Sequence, residues 1–258
     1  YNTIERRLSR RTISGLIFAL LLANMLMLTF DIQSCKADST PSYVAIKASF
    51  HTHTNASDGY FSPTKVVQLY ANAGYDCIAI TDHDTMDGVK EAKKAGEQLG
   101  LIVIAGEENT NTFCDGAPMH VVALWINKAI PSIYPNAGTD KERIERYFQD
   151  IHSQNGIGIV AHPWLKDWSL VNWTDSPWYP YRDLEYIDGW EVAFNFATEV
   201  YDEYLENSFI VRNHDFHGGV IPLDYYTILF AHNRTENGVR EALLSKRDVT
   251  FQNGQVYG

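Results

Sequence analysis

Two histidines one residue apart, His51 and His53, follow the strand-like run Tyr43-Val44-Ala45-Ile46-Lys47-Ala48-Ser49. Strand side chains alternate faces with a period of two, so both imidazoles project the same way off the carboxyl end of that strand. Two imidazoles at that spacing can reach one cation. Asp58-Gly59 then fits a turn that folds a carboxylate back over the same place. More such donors recur at strand ends: His83 after Ile78-Ala79-Ile80-Thr81-Asp82, Glu108 after residues 101–106, and His120 before Val121-Val122-Ala123-Leu124. His162 follows residues 157–161, and Asp215 and His217 form a later pair. Six of the nine histidines in the chain belong to this set, more than chance placement at strand ends would give.

Imidazole and carboxylate without thiolate suit zinc, manganese or iron. Nine donors are too many for one ion, so two to three divalent metal ions are expected. Such a cluster needs no protein nucleophile. The pKa of metal-bound water falls towards ~7, and a metal-bridging hydroxide can attack a phosphorus or carbonyl centre. No Gly-x-Ser-x-Gly elbow is present, which argues against a serine hydrolase.

Around these donors stand candidates for supporting roles. Asp82 precedes a ligand histidine and is expected to orient a partner rather than bind metal. Glu191 and Asn195 end a strand and are candidates to line the site; Asp82 and Glu191 are the two candidate catalytic residues. Either Glu107 or Glu108 could be the bridging carboxylate. His152 falls in a helix and His232 after the last strand. Lys166, Arg182, Arg212 and Arg234 are candidates to grip an anion, against the alternative of solvated charge.

The motifs resemble those of the polymerase and histidinol phosphatase (PHP) family of metal-dependent hydrolases. His51 to Gly59 fits H-x-H-T-x-x-S-D-G, Thr81-Asp82-His83 and Gly106-Glu107-Glu108 follow, and Ala161-His162-Pro163 and Asp215-Phe216-His217 complete the order. The resemblance covers residues 44–250 and implies a distorted barrel of about seven β/α units. It favours Glu108 over Glu107 through the G-x-E spacing. It implies that His51, His53, Glu108 and Asp215 hold one ion and that Glu108 bridges to a second held by His120 and His162. Asp58, His83 and His217 would hold the third. Phosphoesterase action on a small phosphate mono- or diester is the first function implied. The short chain and its Trp-rich stretch also resemble the carbaryl-hydrolase branch, which implies carboxylester or carbamate hydrolysis. A non-catalytic binding domain is the third reading. The sequence departs from the pattern at Asn213-His214, where Gly-Ser is usual, so His214 is a candidate extra ligand. Ser49-Phe50 replaces a common Asp-Leu.

These residues need a scaffold of alternating strands and helices. Strands are expected at 44–50, 77–81, 101–105, 119–126, 157–161, 188–194, 209–212 and 226–230. Helices are expected at 63–73, 86–98, 140–154, 198–207 and 236–245. Ser62-Pro63 marks a helix start and Gly100 a helix end. Alternation with short connections predicts a parallel sheet with helices outside, and donors at many carboxyl ends favour an α/β barrel over an open sheet. Five tryptophans between Trp164 and Trp190 predict either an aromatic wall over the site or a loop packed by its own rings.

The 258 residues, with 45% hydrophobic and 21% charged content, suit one enzyme-sized domain over residues 38–258. A net charge of −11 argues against broad nucleic-acid binding and leaves a small-molecule ester as the expected partner. Residues 5–11 are basic and residues 13–30 almost wholly apolar, the layout of an export signal over residues 1–37 or of a membrane anchor. Ser9-Arg10-Arg11 also resembles a twin-arginine signal. The expected location is therefore extracellular, periplasmic or on the outer face of a membrane. Cys77 and Cys114 make no disulfide framework, and Cys77 is expected in the core.

Overall fold

The computed structural model describes residues 42–110, 112–113, 117–131, 138–166, 169–192 and 208–257. The proposed leader, the helix expected at 198–207, Asn195, Trp168 and Cys114 lie outside them. Among the described residues no helix is long and apolar enough to cross a membrane.

In chain order the strands are β1 (Val44–Ser49), β2 (Cys77–Ile80), β3 (Ile102–Asn109), β4 (Thr112–Phe113), β5 (Ala117–Pro118), β6 (Val121–Leu124) and β7 (Ile157–Val160). They continue with β8 (Leu165–Lys166), β9 (Ser169–Leu170), β10 (Gly189–Glu191), β11 (Phe209–Val211), β12 (Tyr225–Ala231), β13 (Asp248–Gln252) and β14 (Gln255–Tyr257). The helices are α1 (Pro63–Asn72), α2 (Val89–Leu99), α3 (Asp140–Ser153) and α4 (Glu236–Leu244). Ten strands form one sheet in the order β11-β10-β7-β6-β3-β2-β1-β12-β13-β14. The result is an α/β fold whose sheet curls into a half-barrel.

The sheet is mixed rather than wholly parallel. β1, β2 and β3 run parallel, as do β7, β10 and β11. β6 runs against both β3 and β7. The reason is local: β3 and β6 are linked through the short β4–β5 hairpin, with no crossover helix to carry the chain back for a parallel return. The curl brings β11 back towards β12 and β13. There the Thr227 hydroxyl accepts from the Arg212 amide at 2.8 Å and donates to the Arg212 carbonyl at 3.1 Å. The Asp248 carboxylate accepts from the Ile210 amide across the same seam, and burial pushes its pKa up to about 7.

Period-two alternation divides the core. Cys77 and Ala79 join Ile46, Ala48 and Phe50 on one face of β2, while Ile78 and Ile80 face Val66, Val67 and Tyr70 of α1 on the other. Every side chain of β2 and β7 is buried, as befits strands covered on both faces. Ser62 caps α1 by accepting from the Lys65 amide, with Pro63 at the first position. α2 starts three residues later than expected because Thr85–Gly88 form turns, and Gly100 ends it in the left-handed region at φ 71°.

The tryptophans divide too. Trp178 and Trp190 are fully buried, edge to face at 6.1 Å, in a cluster with Tyr147, Phe148 and Ile151 of α3. They are packing residues. Trp164 is partly exposed and packs against the edge of the same cluster.

Candidate metal centre

Glu108 is the hub. It is fully buried at the carboxyl end of β3, and its two oxygens serve different imidazoles. Oε2 lies 3.0 Å from His51 Nε2, 3.2 Å from His53 Nε2 and 3.1 Å from His83 Nδ1. Oε1 lies 2.9 Å from both His120 Nδ1 and His162 Nε2. Asp215 Oδ1 stands 3.2 Å from His51 Nε2 and 3.1 Å from His53 Nε2, closing one group of four donors.

A shallower group lies beside it. Asp58 Oδ1 is 3.3 Å from His217 Nε2, and Asp58 Oδ2 is 3.5 Å from His83 Nε2. His217 and His53 stack with centroids 4.1 Å apart, which ties the two groups together. All nine expected donors therefore meet in one place. Three sets each hold their donor atoms within 4.8 Å of one another: His51, His53, Glu108, Asp215; His53, Asp58, His83, His217; and His83, Glu108, His120.

These residues fit divalent cations. His51 Nε2, both ring nitrogens of His53, His83 Nδ1, Glu108 Oε2 and Asp215 Oδ1 are buried without a hydrogen-bond partner, a costly state for polar atoms with no ion to bind. Donors about 2.1 Å from a shared ion stand about 3.0–3.4 Å apart at octahedral to tetrahedral angles, which matches the separations above. Electrostatics agree. Burial pushes the His51 imidazole down, but Glu108, Glu191 and Asp215 outweigh it and hold it well above the usual range. Burial pushes Glu108 up, yet the surrounding histidines hold it well below the usual carboxylate range. The cavity demands positive charge.

Two donors sit on strained backbone. His162 has φ 30° and Asp215 φ 50°, both in the left-handed region that non-glycine residues rarely occupy. Such strain persists where surrounding structure over-determines it, commonly at functional sites.

The supporting residues sort by what they touch. Glu191 is buried and saturated: Oε1 meets His51 Nδ1 at 2.8 Å and accepts from Asn213 Nδ2 at 2.8 Å, while Oε2 accepts from the His162 amide at 2.8 Å. Asn213 in turn accepts from the Phe50 amide through Oδ1 at 2.6 Å. Asp82 accepts from the Thr54 amide at 2.7 Å and the Ser57 hydroxyl at 2.9 Å, so it shapes the loop that carries Asp58. Glu107 points to the opposite face, as alternation along β3 requires. It accepts from the Ile130 amide at 2.7 Å, and burial lifts its pKa to about 7.

His214 is not a ligand. Its Nε2 lies 2.6 Å from the Tyr225 carbonyl and its ring meets the Tyr70 and Tyr75 hydroxyls, while burial pushes its pKa down to about 4. His152 pairs with Asp188 and Arg234 with Asp76, away from the donors. Arg182 lies over the Tyr179 ring. His232 packs on Tyr43.

Residues 49–130 match the PHP domain family. A 5'-3' exoribonuclease of Haemophilus influenzae is 37% identical over 87 residues, 34% of this chain and 31% of that protein. A 3',5'-nucleoside bisphosphate phosphatase of Chromobacterium violaceum is 30% identical over 128 residues, 49% of this chain and 43% of that protein. The matched stretch spans about a third of the length of the first curated relatives. In fold, the chain is similar to a Bacteroides vulgatus two-domain protein containing a predicted PHP-like metal-dependent phosphoesterase. The TM-score is 0.68 at 21% identity, over 83% of this chain and 66% of that one.

One glycine within the matched stretch sets the position of Asp58. A Cβ on Gly59 would lie 2.7 Å from the His53 carbonyl carbon and the Thr54 amide nitrogen, and neither backbone atom can give way. Gly59→Ala is therefore expected to push the Asp58 turn outward. About one ion per chain should be lost, with a fall in turnover of about 100-fold, as for a misplacement of about 1 Å. Metal analysis beside steady-state kinetics checks this; unchanged metal content would refute it.

Proposed function

We propose that this chain is a metal-dependent phosphoester hydrolase acting on a small phosphate mono- or diester, with two to three zinc, manganese or iron ions. The carrying observation is the division of Glu108: one oxygen faces three imidazoles, the other faces two, and unpartnered donors point into both spaces. His51, His53 and Asp215 would share one ion with Glu108, His120 and His162 a second, and Asp58, His83 and His217 a third. Bound divalent cations supply an acidified water, with pKa near ~7, and neutralise charge on a phosphoryl group. The chain itself fixes the donors. Glu191 presents His51 through its Nδ1, Asp82 anchors the Asp58 loop, and buried aliphatic strands beneath exclude bulk water. Three carboxylates among nine ligands leave a loaded cluster net positive, which suits an anionic ester even in a chain of net charge −11.

The overall charge favours a small substrate over a long nucleic acid. The basic residues 5–11 and apolar residues 13–30 support export or a membrane anchor.

The test is metal content per chain by plasma mass spectrometry with parallel assays on nitrophenyl phosphate mono- and diesters and on aryl esters and carbamates. Two to three ions are expected, falling in His51→Ala and Asp215→Ala, with phosphoester turnover abolished by a chelator. Aryl ester or carbamate turnover without phosphoester turnover would select the carboxylester reading instead. One ion or none after reconstitution would overturn the cluster.

A further inference from the structure

His214 immediately precedes Asp215, and its ring lies among three tyrosines. The centroids are 4.7 Å from Tyr225, 5.9 Å from Tyr75 and 6.2 Å from Tyr70. Nε2 meets the Tyr225 carbonyl at 2.6 Å, and Nδ1 stands 3.4 Å from the Tyr70 hydroxyl. The fully buried Tyr70 hydroxyl accepts in turn from Thr52 Oγ1 at 3.2 Å. Thr52 is also fully buried and stands between His51 and His53. A carbonyl can only accept, so Nε2 carries a hydrogen, Nδ1 accepts from Tyr70, and Tyr70 accepts from Thr52. One directed chain thus runs from the His51–His53 segment of β1, through a side chain of α1, to the residue before Asp215.

Asp215 is the donor that calls for such support. Its φ of 50° is strained for a residue with a side chain, and strain of this kind persists only where the surroundings over-determine it. Its far flank is held by backbone: the Phe216 carbonyl accepts from the His53 amide at 2.9 Å, and Phe216 bridges to Thr52. The His214 side chain holds the near flank, and Tyr70 ties that side chain to the same segment. Between the two fastenings Asp215 Oδ1 comes to 3.2 Å from His51 Nε2 and 3.1 Å from His53 Nε2.

We propose that Tyr70 and His214 are positioning residues, which hold Asp215 in register with His51 and His53 so that the three donors converge on one ion. Neither is itself a donor. The proposal rests on the metal-centre reading and deepens it.

The test is cobalt(II) binding by the metal-free full chain, with a competing chelator to give affinity and visible absorption to report coordination. The ion that Asp215→Ala loses is the one to follow. In Tyr70→Phe, which removes a single oxygen, that ion should bind about five- to tenfold more weakly, the worth of a hydrogen bond, and its absorption band should shift. His214→Gln, which can still donate to the Tyr225 carbonyl, should keep more affinity than His214→Ala. Tyr75→Phe is the matched control. Its hydroxyl also meets the His214 ring, at 3.3 Å, and donates to the Pro222 carbonyl, but it makes no bond to Thr52. It should lower the melting temperature about as much as Tyr70→Phe does while leaving cobalt affinity and absorption unchanged. If the His214 variants do not fold, the two tyrosine variants carry the comparison. Unchanged affinity and absorption in Tyr70→Phe, or an equal loss in Tyr75→Phe, would overturn the proposal with the metal centre intact. A wild-type chain that binds no cobalt would overturn the metal centre and the proposal with it.

Discussion

Glu108→Gln should empty the centre and cut phosphoester turnover by about 1,000-fold or more. The substitution keeps size and shape, so the fully buried pocket on β3 still packs. What changes is donor chemistry. An amide carries one oxygen where the carboxylate has two, and here both oxygens are in use: Oε2 faces His51, His53 and His83, Oε1 faces His120 and His162. In either rotamer the NH2 group would point into a space lined by imidazole nitrogens and would deny one ion its ligand. The charge also goes, and with it the anion that would offset bound cations. Loss of one preorganised electrostatic group costs about 100- to 1,000-fold in many active sites, and loss of the ions themselves costs more. Glu107→Gln is the matched control. Glu107 lies on the other face of β3, already holds its pKa at about 7, and meets the Ile130 amide rather than an imidazole. Its metal content should stay at the wild-type value. Equal metal content in Glu108→Gln and wild type, by mass spectrometry on freshly reconstituted protein, would refute the hub assignment.

The contrast between these neighbouring glutamates shows what a single chain reveals. Donor types and strand-end positions were legible because metal ligands come from few residue types and a strand imposes a period of two. Hence eight of the nine candidate donors could be named from strand-end positions, while the choice of Glu108 over Glu107 came from the family resemblance; the nine side chains meet in the fold. Pairing direction was not legible. The apolar run at 121–124 reads the same whichever way it runs, and the short hairpin before β6 makes it antiparallel to β3. Nor does composition separate a tryptophan in a lid from one in a core. Trp178 and Trp190 lie under α3 because residues distant in sequence come to cover them. Asn213 drew notice only as a departure from an expected Gly-Ser, and as company for a supposed ligand, His214. In the fold their roles differ. His214 turns away to the Tyr225 carbonyl, and Asn213 bridges the Phe50 amide to Glu191. A polar amide just before a ligand aspartate, where backbone groups of two strands must be joined, was the available signal.

That bridge makes Glu191→Gln the second large effect. Glu191 holds no unpartnered donor of its own; its worth lies in accepting from three groups at once. One oxygen accepts a hydrogen bond from His51 Nδ1–H, which leaves His51 Nε2 as the ring nitrogen facing Glu108 and Asp215. Glutamine cannot reproduce this in either rotamer. With its NH2 in the Oε1 position it would confront two donors, His51 Nδ1–H and the Asn213 amide. With its NH2 in the Oε2 position it would confront the His162 amide, on a residue already strained at φ 30°. The first arrangement drives His51 towards the wrong tautomer; the second displaces His162. Either should lower metal affinity and kcat/KM about 10- to 100-fold, the usual cost of losing a group that orients a metal-bound histidine. The signature distinguishes this from the loss of a ligand. Excess metal should restore much of the Glu191→Gln activity, because every donor is still present, whereas it should not restore Glu108→Gln. Titrating each variant with manganese or zinc while following turnover separates the two. A Glu191→Gln enzyme that binds metal with wild-type affinity would show that His51 keeps its tautomer without help, and the role assigned to the Phe50–Asn213–Glu191 chain would fall with it.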